Sequence, residues 1–141
     1  MELNSIHQNK RVILKIKEYI RTLDLNLHGY SILTEVGSGL YNYMPVIPAL
    51  AGADNIMAWT RDSSYGKASD IIMSCKNILD KLDFNGTIEF YEGDMNVVQL
   101  KCADIITNSG FLRPLDKNKL KYCNDNVVIP LMYELWEVRS G

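Results

Sequence analysis

The chain has 141 residues and a formal net charge of −2, enough for one layered core and too little for two. A hydrophobic share of 47% with 23% charged residues is that of a globular protein, and the slight acidity argues against a broad nucleic-acid-binding face. No apolar run approaches the ~18 residues of a spanning helix, and the opening MELNSIHQNKR lacks the basic-then-apolar layout of a secretory signal, so no membrane association is expected. Cys75, Cys102 and Cys123 are odd in number and widely spaced. They fit neither a disulfide framework nor a metal-binding CxxC, which points to a reducing cytoplasm and to no metal site.

Residues 5–23 place Ile6, Val12, Ile13, Ile16, Tyr19, Ile20 and Leu23 near helical spacing, with Lys and Arg on the other face. Residues 1–28 are therefore expected to hold a leading amphipathic helix. Gly29 punctuates, and YSILTEV (30–36) follows as a short, largely apolar strand. NIMAWT (55–60) reads as a second strand, SDIIMSCKNILDKL (69–82) as an amphipathic helix, and TIEFYE (87–92) as a third strand. A short helix over 95–101 leads to DIITNS (104–109), a fourth strand. DKNKLKY (116–122) can make about two helical turns before NVVIPLMY (126–133), a fifth strand. Short apolar strands alternating with helices imply an α/β fold: a Rossmann-like parallel sheet of about five strands with helices on both faces, the whole of 1–141 forming one nucleotide-binding domain. In such sheets ligands sit beyond the carboxyl ends of the strands, where the strand order reverses.

That rule selects the residues just after each strand. After the first come Gly37, Ser38 and Gly39, then Leu40. Glycine there lets the backbone turn sharply and lets a pyrophosphate approach without a Cβ in the way. Asn42 stands where a third glycine would be, and Pro45 suits a first helical turn, so a helix is expected from Tyr43 or Met44 with Tyr41 and Asn42 turned away from the sheet. After the second strand, which closes on Thr60, come Arg61, Asp62, Ser63 and Ser64. Arg61 with the serines suits the 2′-phosphate of NADP, and Asp62 suits the plain ribose of NAD. Asp94 follows the third strand, suited to an adenine amino group or, more simply, to capping the next helix. Asn108, Ser109 and Gly110 follow the fourth as a small polar turn, with the cation Arg113 nearby; Glu134 and Glu137 flank Trp136 after the fifth.

Together these strand-end segments, from Tyr30 to Glu134, resemble the NAD(P)-binding domain shared by adenosylhomocysteinase, alanine dehydrogenase and 2-hydroxyacid dehydrogenase-type enzymes. The run ADIITNSGFLRPLDKNKLKYCNDNVVIPL carries the resemblance furthest. It implies that Gly37, Ser38 and Gly39 meet the pyrophosphate of NADP or NAD, Arg61 and Asp62 the adenosine ribose, and Asn108 to Gly110 the nicotinamide-side ribose. It also implies an oxidoreductase acting on an unidentified small molecule. His7 and His28 precede the first strand, away from the crevice, so the catalytic groups of such an enzyme are expected outside this chain.

TEVGSG also resembles the first motif of S-adenosylmethionine-dependent methyltransferases, an acidic residue followed by x-Gly-x-Gly, and IEFYEGDM their third-strand motif, which would give Asp94 the adenine. A third reading is a non-enzymatic nucleotide-sensing or assembly module, in which the Tyr41, Tyr43 and Trp136 regions are the apolar patches that would mediate self-association as a homodimer.

Overall fold

A computed structural model describes residues 2–110 and 115–130. The leading helix α1 runs over Glu2–Thr22. Strand β1 spans Ser31–Glu35, a 3₁₀ turn Gly39–Tyr43, helix α2 Val46–Leu50, strand β2 Asn55–Thr60 and helix α3 Ala68–Leu79. Strand β3 covers Thr87–Glu92, helix α4 Val97–Cys102, strand β4 Ile105–Ile106 and helix α5 Lys117–Leu120. Every strand pair is parallel, in the order β3-β2-β1-β4. The α/β class, the parallel sheet and the helices on both its faces are as the sequence implies.

Strand periodicity sorts the core into two layers. Ile32, Ile56 and Ala58 face one side, where they pack with Val46, Ala49, Ile71, Cys75 and Ile78 and with Val12, Ile13 and Ile16 of α1. Leu33, Met57, Trp59 and Ile106 face the other, against Leu100, Ala103 and the 115–130 segment. Because β1 and β2 are covered on both faces, every residue after the first of each is buried and neither strand alternates between core and solvent. Each fully buried Ile or Leu here contributes about 1.5–3 kcal/mol. The edge strand β3 instead alternates, with Thr87, Glu89 and Glu92 turned towards solvent or the rim. In α3 the buried set Ile71, Cys75, Ile78 and Leu79 follows the 3.6-residue period. Burial lifts the Cys75 thiol from its ordinary 9.0 to about 12, so it stays protonated and inert at physiological pH.

Three elements differ from expectation. The fourth strand is two residues long rather than 104–109, because Asn108 takes a left-handed backbone (φ 53) that ends it. The fifth, 126–133, keeps within the described residues a single parallel bridge of Val128 opposite Ile105; 131–133 lie outside them. The helix expected from Tyr43 or Met44 begins later: the glycine turn passes into the 3₁₀ segment, and Pro45 takes the capping position of the five-residue α2. The cap of α4 is Asn96, whose Oδ1 accepts from Val98 N at 2.9 Å and Gln99 N at 3.2 Å, and not Asp94. Asn96 stands immediately before the helix, where an acceptor reaches those amides; Asp94 is two residues too early.

Candidate functional site

The chain runs outward from β1 to β2 and β3, then crosses back to place β4 on the other side of β1. The strand order thus reverses between β1 and β4, and a crevice opens above their carboxyl ends. Just below it, the Thr34 and Thr107 hydroxyls meet at 2.9 Å and clasp the two strands. The crevice holds a cleft of about 580 Å³ lined by Gly37, Ser38 and Leu40, by Ser63 and Tyr65, by Ser109 and Gly110, and by Glu35, Tyr41 and Ile71. That volume lies within the ~300–1,000 Å³ of small-molecule sites. A shallower depression of about 570 Å³ adjoins it across Leu40 and Tyr65, and Gly39 lies there.

The glycine turn is shaped by Asn42. Its Nδ2 is buried and donates to Gly37 O at 3.2 Å and to Ile71 O at 3.0 Å, tying the turn to α3. The side chain therefore points inward, contrary to expectation, while Tyr41 points out. A dinucleotide turn uses a third glycine so that helix and strand can pack closely; here an amide side chain fills that space and bonds to both neighbours. Gly39, at φ 60, takes the left-handed conformation the turn requires. Gly37 N–H donates to Tyr41 O at 3.3 Å and is used within the turn.

The loop after β2 is folded on itself. Asp62 Oδ1 accepts from Ala68 N at 2.8 Å, closing the entry to α3. Ser63 and Gly66 exchange backbone hydrogen bonds, and Ser63 Oγ accepts from Tyr65 N at 3.1 Å, which sets Tyr65 over the cleft. Arg61 is exposed, and Thr60 is wholly buried at the strand end.

Opposite stands Glu35, the last residue of β1 and 4% exposed. Its Oε1 accepts from Ser109 N at 3.1 Å and from Gly110 N at 2.9 Å. Asn108 is turned away by its backbone, its Nδ2 donating to Pro130 O at 3.4 Å.

With this geometry the chain has a structural counterpart. Its likeness is to shikimate 5-dehydrogenase. The enzyme from Listeria monocytogenes, in complex with shikimate and NAD, matches with a TM-score of 0.53 over 78% of this chain, at 10% sequence identity. This chain spans 40% of that enzyme's length, and at such an identity the match shows a shared Rossmann-like fold. No protein-family model and no curated protein matches the sequence.

Six of the residues picked from strand ends meet in the cleft: Gly37, Ser38, Leu40, Ser63, Ser109 and Gly110. Gly39 lies in the adjoining depression, while Thr60, Arg61, Asp62 and Asn108 are not among the residues lining the cleft. Asp94 is exposed beyond the edge strand and also not part of that lining. His28 pairs with Asp54 at 3.3 Å where β2 begins, at the opposite end of the sheet from the crevice. Tyr43 is buried against the core, its hydroxyl bonded to Asn9 of α1, so it forms no exposed patch; Arg113, Glu134, Trp136 and Glu137 lie outside the described residues. Sequence reasoning left Glu35, Tyr41, Tyr65 and Ile71 out of the site. Glu35 was in view as the acid of TEVGSG, but nothing local says that its side chain reaches the turn after β4. Among the described residues no helix is long and apolar enough to cross a membrane.

Proposed function

We propose that the β1/β4 crevice binds an adenine dinucleotide and that this chain is the NAD(P)-binding portion of an oxidoreductase. The observation that carries the reading is the convergence of the Gly37–Leu40 turn, Ser63 and the Ser109–Gly110 turn on one cleft at the point where strand order reverses. The shared fold with a dehydrogenase solved with NAD supports it. In this reading the pyrophosphate lies along Ser38 and Gly39, the adenosine ribose reaches the loop after β2, and the nicotinamide end passes over Ser109 and Gly110. Asp62 Oδ1 accepts from Ala68 N, and in this reading the cation Arg61 meets the 2′-phosphate of NADP. Among the described residues lining the cleft none is His or Lys, the usual proton carriers beside a hydride. The chain's part is to hold the cofactor, and the catalytic groups come from elsewhere.

Calorimetric titration tests this directly. NADP is expected to bind more tightly than NAD, and Arg61→Ala to weaken NADP by about tenfold or more while leaving NAD little changed, as loss of a charge-assisted phosphate contact requires. Absence of heat with either dinucleotide would sink the reading. A second reading, S-adenosylmethionine binding, is favoured by one observation: Glu35 brings its carboxylate to the cleft wall. The position of Asp94, away from that lining, weighs against it.

A further inference from the structure

Three large apolar side chains stand exposed along the cleft: Leu40, Tyr41 and Tyr65, the last 82% exposed. A single such residue on a surface needs no explanation. Three of them lining one concave site are what a bound molecule would cover.

Their backbones are fixed. Tyr41 leaves the glycine turn directly over Gly37, where a Cβ would lie 3.0 Å from Tyr41 Cβ, and that turn is tied to α3 through Asn42. Tyr65 belongs to the turn in which Ser63 and Gly66 exchange backbone hydrogen bonds, and Ser63 Oγ accepts from its N–H at 3.1 Å. The turn rests on α3, since a Cβ on Gly66 would lie 3.6 Å from Ile71 Cδ1. Ile71, itself buried, completes the apolar wall. A tyrosine held in this way offers contact area at small cost in side-chain freedom, having only two χ angles to fix.

The wall of Leu40, Tyr41, Tyr65 and Ile71 presents methyl groups and aromatic rings, with no carboxylate, amide or cation among them. A flat ring laid against it gains stacking and burial, which every purine offers alike because every base has a π-face. We propose that this wall holds the base of the nucleotide by the face of its ring, stacked on Tyr65, and that the cleft therefore discriminates little among purines. This rests on the nucleotide reading of the same cleft. Chain order assigns the ring: Tyr65 belongs to the loop after β2, which the adenosine half reaches in a crevice of this kind, whereas Ser109 and Gly110 follow β4.

The full chain is titrated with the tightest binder among NADP, NAD and S-adenosylmethionine, and with the hypoxanthine analogue of that ligand. The analogue replaces the purine's amino group by a carbonyl oxygen and keeps the flat ring, so the two are expected to bind within about threefold, well under one decade of affinity. Tyr65→Ala should weaken both by about tenfold or more, as loss of base stacking does. Tyr65→Phe keeps the ring and should stay within about threefold of wild type. Because Tyr65 is exposed, neither variant should move the thermal midpoint, which separates lost stacking from lost folding. In proton spectra of the bound ligand the two ring protons of the base should shift upfield, as protons over an aromatic face do, and Tyr65→Ala should abolish that shift. A tenfold preference between the two purines, affinity untouched by Tyr65→Ala, or an upfield shift at the other end of the ligand overturns the proposal and leaves the nucleotide reading intact. So does a concentration-dependent dimer that Tyr65→Ala dissolves while ligand affinity stands, which would give the wall to a second copy of the chain. No binding of any of the three ligands removes both.

Discussion

Asn42→Gly is expected to destabilise the chain by about 2–4 kcal/mol, although it restores the glycine that a dinucleotide turn ordinarily carries there. The substitution removes two buried hydrogen bonds, to Gly37 O and Ile71 O. It leaves Gly37 O short of a donor in a site from which water is largely excluded, while Ile71 O, inside α3, loses its second donor. Each such loss costs about 1–3 kcal/mol, and the freer glycine backbone adds roughly 0.5–1 kcal/mol in the unfolded state. One offset works the other way: Asn42 Oδ1 is buried with no hydrogen-bond partner, and deleting it relieves that penalty. The bonds win because they are two and both reach backbone. A thermal melt followed by circular dichroism should show the midpoint fall by about 6–12 °C. A midpoint within about 2 °C of wild type, less than 1 kcal/mol for a domain of this size, would mean that the turn and α3 are held together by something other than this side chain.

Glu35→Ala is the second large effect, about 2–3 kcal/mol. Burying a carboxylate is costly in itself, and alanine removes that cost. It also strands the Ser109 and Gly110 amides, Ser109 being 6% exposed. Hydrogen bonds to charged acceptors are worth about 1.5–3 kcal/mol each, so losing two outweighs the relief. The local signature is sharper than the global one. Amide hydrogen exchange at Ser109 and Gly110 should accelerate well beyond that of core strands such as β2, since the turn after β4 loses its tie to β1. Unchanged protection at those two amides would refute the assignment of Glu35 as their anchor.

The layered sheet was legible because its signals are local. NIMAWT shows itself as a strand by its apolar run, which a parallel strand buried on both faces needs, and TIEFYE by the β-branched and aromatic residues of an alternating edge strand. The helix at 69–82 shows its 3.6-residue stripe in Ile71, Cys75 and Ile78, and differs from α3 by a residue at the start and three at the end. What was not legible depended on contacts between distant segments. Asn42 reads as a missing glycine until α3 is seen to present Ile71 O to it, twenty-nine residues on. Glu35 reads as half of a motif until the turn after β4 brings two amides to its carboxylate across a separation of 74 and 75 residues. Asp62 reads as a ribose acceptor until its oxygen is found closing the start of α3. Tyr65 could not be placed over the cleft from sequence, because the bridge between Ser63 and Gly66 that sets it there is a matter of loop geometry.

The central claim is that a nucleotide occupies the crevice between β1 and β4. Titrating isotope-labelled protein with NADP and following the backbone amide resonances tests it most directly. The account predicts saturable shifts concentrated at Gly37, Ser38, Leu40, Ser63, Ser109 and Gly110, with His28, Asp54 and Gly86 at the far end of the sheet unmoved. Shifts centred on α1 or on that far end, or none at millimolar ligand, would contradict it.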